Sequence, residues 1–120
     1  MKLREAIAMF DRSRPNQLDT EQKVRWISQI DHMVQDQILR HYGGTQPFSG
    51  YTAQSEDPEL LIPAPYDDCY QRYLEAMSAQ ENAEWQEYNM AISAFQARFQ
   101  DYADFYIRTH LPIQQPFHYL

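Results

Sequence analysis

The strongest constraint on the fold is a run of large apolar side chains near the C-terminal end of the sequence. They alternate three and four positions apart, without a break, over about 22 residues: Trp85, Tyr88, Ile92, Phe95, Phe99, Tyr102 and Tyr106. This is the heptad spacing of one apolar stripe along an α-helix, about 33 Å long at 1.5 Å per residue. Six of the seven side chains are aromatic and too bulky for a simple two-stranded coiled coil. The stripe therefore predicts the core of a helical bundle in preference to a ligand groove, with Ala91, Ala94 and Ala97 beside it permitting close approach of a neighbour.

Two helices are predicted in the N-terminal part of the chain. Apolar residues recur at helical spacing over 2–13 and over 20–41. Pro15 ends the first helix, because a proline disfavours helical geometry at the residue before it. Asp19 or Thr20 is the expected cap of the second helix, and Gly43-Gly44 is its expected stop.

Two more helices are predicted after a long connection. Residues 66–81 follow a cluster of prolines and begin with two acids, which the helix dipole favours in a first turn. Asn82 is a reasonable cap for the last helix, 83–108, so a tight turn is expected there, with one long kinked helix as the alternative. The predicted fold class is all-α: a small bundle of about four helices forming one domain, 1–111, followed by a C-terminal tail, 112–120.

The connection between the second and third helices reads as a loop. Residues 43–65 contain all three glycines and four of the seven prolines, and no apolar period is sustained. A loop of over twenty residues in a small domain is usually functional, interfacial or mobile. Residues 48–52 could form a short strand, and Phe48 and Tyr51 are candidates for outward placement.

The charge and the apolar content of the chain argue against some classes of function. The formal net charge is −7, and no cluster of cations offers phosphate contacts, which argues against a nucleic-acid binder. Residues 66–120 carry eight acids and three basic side chains, whereas 1–42 are near neutral. That asymmetry suits head-to-tail contact between copies, docking on a basic partner, or ordinary solubility. No apolar run is long enough for a membrane span, and no secretory signal is recognisable, so we expect an intracellular protein.

No motif predicts catalysis or ligand binding. The four histidines, His32, His41, His110 and His118, do not have metal-binding spacing, and Asp67 and Asp68 diverge as neighbours on a helix do. The single cysteine, Cys69, excludes an intramolecular disulfide and a cysteine zinc cage, and it is expected to be buried and structural. We therefore predict no catalytic, cofactor or metal residues and no enzyme activity. A binding or assembly role remains, and nine tyrosines favour it because tyrosine is enriched at protein interfaces.

Several short motifs, taken in order, resemble a family of phage proteins. They are 4–7 (Arg-Glu-Ala-Ile), 14–17 (Arg-Pro-Asn-Gln), 25–28 (Arg-Trp-Ile-Ser), 60–67 (Leu-Leu-Ile-Pro-Ala-Pro-Tyr-Asp), 73–76 (Tyr-Leu-Glu-Ala), 82–84 (Asn-Ala-Glu), 88–89 (Tyr-Asn) and 106–112 (Tyr-Ile-Arg-Thr-His-Leu-Pro). In order and spacing they look like the head–tail connector, or adaptor, proteins of tailed phages and prophages of Gram-positive bacteria. The chain departs from that pattern at Ala83, where the family would place glycine, and in the aromatic tail after Pro112.

The resemblance implies a structural virion protein of the neck. Such subunits form a homo-oligomeric ring, typically a dodecamer, beneath the portal protein. The ring extends the channel through which double-stranded DNA passes without specific binding, and it offers a platform for a stopper or tail-terminator protein. The expected location is the virion neck, and the host cytoplasm during assembly. By this resemblance, portal docking falls on the end of the last helix and the tail: Tyr106, Arg108, His110, Leu111, Ile113, Phe117, Tyr119 and Leu120. For the contact between subunits we expect the long loop to contribute through Phe48 and Tyr51.

Two other classes stay open. An acidic inhibitor that mimics DNA would need carboxylates arrayed on one exposed face, whereas here they are spread over two helices. A generic helical interaction module would need no ring at all.

Overall fold

The computed structural model describes residues 1–39 and 48–110, and within these ranges the chain forms four α-helices and no strand. They are α1 (Leu3–Ser13), α2 (Thr20–Gln37), α3 (Asp68–Glu81) and α4 (Trp85–Thr109). The predicted all-α bundle of four helices is confirmed.

The largest differences from the predicted helix boundaries are at the end of α2 and at the starts of α3 and α4, where α4 begins at Trp85 and not at residue 83. α2 ends at Gln37, four residues early, and Ile38 leaves helical geometry while its N–H still bonds to Val34. The predicted stop at Gly43-Gly44 lies outside the described residues. α3 starts at Asp68 and not at residue 66, because Tyr66 and Asp67 form the turn that leads into it.

The connection between α3 and α4 is a tight turn, not a kink. Asn82 ends α3 and does not cap α4, whose cap residue is Glu84. Ala83 has φ +55°, the left-handed region. The N–H of Glu84 donates to Ala79 O at 2.8 Å and that of Ala83 to Gln80 O at 3.1 Å, which is the Schellman pattern of a helix C-terminus. Glycine is usual at this left-handed position, so the departure at Ala83 falls where the backbone favours glycine.

The core lies where α1, α2 and the connecting chain pack on α3. Its largest fully buried side chains include Phe10, Ile27, Ile30, Leu74 and Tyr70. Lys23 is also buried, and its Nζ donates to Asp11 Oδ1 at 2.8 Å, joining α2 to α1. Partial burial acts to raise the pKa of Asp11, but the hydrogen bonds from Lys23 and Asn16 outweigh it and hold that pKa below its usual value.

α4 packs against α3 and against no other helix of the described chain. Its apolar stripe contributes to the core as predicted over most of its length, since Phe95 and Tyr102 are buried and Ile92, Phe99 and Tyr106 pack on the core. The prediction is wrong for Trp85, which is 57% exposed because it lies at the hairpin end, where it contacts Tyr88. α4 is about 37 Å long at 1.5 Å per residue, and the molecule is correspondingly elongated, 56 × 34 × 20 Å.

Candidate functional site

The long connection is fixed to the helices through a buried carboxylate on α2. Asp31 is fully buried and accepts three hydrogen bonds: from the Tyr51 hydroxyl at 2.5 Å, the Tyr70 hydroxyl at 2.6 Å and the Leu61 N–H at 3.1 Å. The Tyr70 hydroxyl in turn accepts from the Ile62 N–H at 2.9 Å. We call Asp31, Tyr51, Tyr70 and the backbone of Leu61 and Ile62 the Asp31 junction. The short strand that 48–52 could form is not present, because the N–H groups of Tyr51 and Thr52 donate to the side-chain oxygens of Ser28 and Ser55 and not to a neighbouring strand.

The electrostatics of the junction follow from its burial. Loss of water raises the pKa of Asp31 above its usual value, while the three donated hydrogen bonds act in the opposite direction. Burial and the adjacent carboxylate also raise the pKa of the Tyr51 and Tyr70 hydroxyls, so both stay protonated and donate. In the described chain no buried side-chain nitrogen or oxygen lacks a hydrogen-bond partner, so the polar groups of the junction serve to hold the chain together.

Two further contacts hold the connection against α2 and α1. Gly50 has φ +100°, and a Cβ there would lie 3.1 Å from Ser28 Oγ, which itself accepts from the Tyr51 N–H at 3.1 Å. At the other side, the first turn of α1 donates to this segment: the Leu3 N–H to Pro58 O at 3.0 Å and the Arg4 N–H to Asp57 Oδ1 at 2.8 Å. The free N–H groups of a helix start are thus satisfied by a segment over fifty residues away.

The predicted subunit-contact residues lie on this segment. Phe48 is half-buried, with its ring edge-on to His32 and to Tyr51, both at 4.7 Å between ring centres. Tyr51 is half-buried with its hydroxyl on Asp31, so its predicted outward placement is wrong: the carboxylate on α2 turns the ring inward. Only the outer face of this aromatic pair is available to a partner.

The predicted docking end of α4 carries an aromatic cluster. Tyr66, from the turn before α3, lies 5.9 Å from Tyr102 and 5.3 Å from Phe105 between ring centres. Tyr106 lies 6.1 Å from Tyr102, and the His110 ring stacks on Tyr106 at 3.8 Å, 2° from parallel. We call these five residues the C-terminal aromatic cluster. It gives the end of α4 a fixed shape at the point where the chain continues into residues 111–120.

Arg98 fastens this cluster to the start of α3. Its guanidinium donates to Asp68 Oδ1 and to Pro65 O, each at 2.8 Å, and lies 5.0 Å from the centre of the Tyr66 ring. Asp68 therefore interacts favourably with the dipole of α3 and forms an ion pair with Arg98. These two interactions give a structural reason for one of the two adjacent acids, Asp67 and Asp68.

The docking residues predicted from the sequence divide into two groups. Tyr106 is half-buried within the aromatic cluster, whereas Arg108 and His110 are exposed at the helix end. The remaining five lie outside the described residues: Leu111, Ile113, Phe117, Tyr119 and Leu120. His41 and His118 lie outside them as well.

Over 1–39 and 48–110, no group of three or more His, Cys, Asp or Glu side chains is placed so that it could hold a metal ion. Cys69 is buried, as predicted, and burial raises the pKa of its thiol to about 12. At neutral pH it is a protonated, structural thiol and not a nucleophile.

Sequence reasoning missed Asp31, although a signal was present. Val24, Ile27, Val34 and Ile38 lie three, four or seven positions apart along the buried face of α2, and Asp31 occupies the gap between Ile27 and Val34 in that stripe. A carboxylate at a core position needs buried donors, and two tyrosines on other segments supply them.

The chain matches no protein-family model, and no curated protein and no solved structure is similar enough to it to count as a match. Among the described helices, none combines the length and the apolar character that crossing a bilayer requires.

Proposed function

We propose that the chain is a structural virion protein: a head–tail connector, or adaptor, whose copies form a ring under the portal, extend the DNA channel and join the capsid to the tail. One observation supports this most. Two motifs that carry the resemblance to adaptors, residues 60–67 and 106–112, are about forty positions apart in sequence, and yet Tyr66 of the first and Tyr106 of the second both pack on Tyr102 in the C-terminal aromatic cluster. Motifs that share one structural end are consistent with one shared role.

The end of α4 has the properties that a docking end needs. Tyr102 and Tyr66 hold the helix end against α3, so little further ordering is required on binding. Arg108 and His110 are exposed at its tip and can pair with a partner's acceptors. The tail then follows directly, with Ile113, Phe117 and Tyr119 as apolar anchors.

The charge is compatible with a channel wall. The second half of the chain is acidic, and Asp101 and Asp104 are exposed on α4. Carboxylates repel the DNA phosphates, so a wall that presents them lets DNA slide without sticking.

The proposal is tested by portal binding. The full chain and a chain without residues 112–120 are titrated against the portal protein encoded in the same phage or prophage, while circular dichroism monitors folding. We expect the truncated chain to keep its helical signal and to bind at least about tenfold more weakly. Equal binding by the two chains would contradict the docking assignment.

A charge reversal separates the docking end from other exposed positions. Arg108→Glu alters the tip of α4, and Arg72→Glu makes the same change on α3, where the side chain is also exposed. Only Arg108→Glu should weaken portal binding.

Phe48→Asp tests the contact between subunits and should lower the mass of the assembled ring. A change at Tyr51 would be a less clean test, because the Asp31 junction needs the Tyr51 hydroxyl. If no ring forms on a portal under any condition, a helical interaction module becomes the better account.

A further inference from the structure

The outward face of α4 differs from the other exposed surfaces of the chain. Among the helices of the described chain α4 packs only on α3, with further contacts from Tyr66 and Arg14, and the opposite side of this 25-residue helix is uncovered by any of them. Between Glu87 and Asp101 the only charged side chain is Arg98, and it points toward α3 and Asp68. We call the exposed positions of this stretch the neutral α4 face: Gln86, Asn89, Met90, Ser93, Gln96, Ala97 and Gln100.

The neutral α4 face also carries an exposed large apolar side chain. Met90 is 68% exposed, and Trp85, at 57%, lies at the edge of the same face. Depletion of charge with retained apolar and amide side chains is the composition that distinguishes the centre of a protein interface from ordinary surface. At the centre of this face, Ser93 and Ala97 are small, so a second helix could approach closely.

We infer that the neutral α4 face is a self-association surface on which a second copy of the chain docks, α4 against α4 and antiparallel. Copies that each carry −7 repel one another over most of their surface, and this face is where they can meet without opposing charges. A face without ionic groups has nothing with which to select a charged partner. Its amides both donate and accept, so identical amides can pair across a two-fold axis.

The register follows from the spacing of the face. Its middle is Ser93, so an antiparallel pair centred there sets Ser93 against Ser93 of the second copy and Gln86 against Gln100 of the second copy. Met90 then lies along the aliphatic part of Gln96 of the second copy. Two small serines at the crossing let the helices approach, and the long side chains lie on either side of them.

The expected association is weak. The face spans 15 residues, about 22 Å of helix, and so buries only a few hundred Å² per copy. This is at the low end of specific interfaces, so the dimer should form reversibly in the range of tens to hundreds of micromolar, on the order of transient complexes. The contact is two-fold and closes on itself, and it is therefore distinct from the head-to-tail contact that a ring needs.

Sedimentation velocity of the full chain from about 5 µM to about 500 µM tests the inference. We expect a concentration-dependent monomer–dimer equilibrium that Ser93→Arg weakens at least about tenfold, because the two introduced charges oppose each other at the axis. Ala8→Arg adds the same charge at an exposed position of α1 and should leave the dimer unchanged. A chain that stays monomeric throughout, or a dimer indifferent to Ser93→Arg while thermal unfolding shows both variants folded, would overturn the inference.

Cysteine cross-linking tests the register. Ser93→Cys should form a disulfide-linked dimer under mild oxidation, whereas Gln86→Cys should not, since only position 93 meets its own copy. Cys69 is buried and does not compete. Equal cross-linking at both positions, or none at position 93, would contradict the two-fold arrangement. None of these results bears on portal binding, which is measured separately at the other end of α4.

Discussion

Replacing Tyr70 with phenylalanine should destabilise the fold far more than the loss of one hydroxyl suggests. Tyr70 is fully buried, and its hydroxyl donates to Asp31 at 2.6 Å and accepts from the Ile62 N–H at 2.9 Å. Tyr70→Phe removes a hydrogen bond to a carboxylate, worth about 1.5–3 kcal/mol, and leaves a buried N–H unpaired, which costs about 1–3 kcal/mol. The expected loss in the free energy of unfolding is about 3–5 kcal/mol, a large part of the stability of a small domain.

Urea unfolding at neutral pH, followed by circular dichroism, measures this loss. At a slope of about 1.5 kcal/mol/M, the midpoint of Tyr70→Phe should fall by about 2–3 M. Tyr51→Phe removes one hydrogen bond to the same carboxylate from a half-buried ring and should cost about 1–2 kcal/mol. Tyr73→Phe is the matched control, because its hydroxyl bonds to Gln29 at the surface and its loss should cost less than about 1 kcal/mol.

The reasoning would be refuted if Tyr70→Phe and Tyr73→Phe cost the same to within about 0.5 kcal/mol. A double-mutant cycle adds a second check, since Tyr70→Phe should cost less in an Asp31→Asn background, where the carboxylate is already absent.

Three further predictions concern other parts of the fold. Ala83→Gly should stabilise the chain by about 0.5–1 kcal/mol, because glycine relieves the left-handed strain at φ +55°. Ala8→Gly, at an exposed position of α1, should instead destabilise the chain by about 1 kcal/mol in the same urea assay. Asp31 has a pKa raised by burial, so its contribution to stability should fall as pH rises from its ordinary value near 3.8 to its folded pKa and stay level above that. The stability of the wild type relative to Asp31→Asn should therefore decrease with pH over this window, and an increase would contradict the sign. Cys69, with a pKa of about 12, should react with a thiol reagent at neutral pH only as fast as the fold opens, and rapid stoichiometric labelling of the folded chain would contradict its burial.

Local sequence patterns predicted the helices well. Features that depend on contacts between residues distant in the sequence could not be predicted in the same way. The alternating stripe on α4 predicted that this helix contributes to the core, although not which helix it packs on, and the break near Asn82 predicted a turn. The cap could not be placed, because Ala83 gives no sign in the sequence of its left-handed conformation. Trp85 continues the apolar stripe of α4 in the sequence, but the spacing does not show where the surface of α3 that covers the stripe ends.

The candidate site shows the same limit. The importance of Tyr106 and His110 was inferred from motif resemblance, yet the stack between them and the contact of Tyr66 with Phe105 come from tertiary structure. The Asp31 junction joins Asp31 to tyrosines 20 and 39 positions away in the sequence. Its sign in the sequence is a charged residue within the apolar face of α2. Tyr51 was expected to face outward because an aromatic residue in a loop gives no indication of a buried acceptor elsewhere.

We propose that this chain docks on a portal as a ring. Mixing the purified chain with the portal protein encoded in the same genome, and examining the complex by native mass spectrometry and negative-stain imaging, tests it most directly. We expect a portal carrying a ring of this chain in fixed stoichiometry, with the copy number read from the mass. Absence of any complex at micromolar concentrations of both proteins would contradict it.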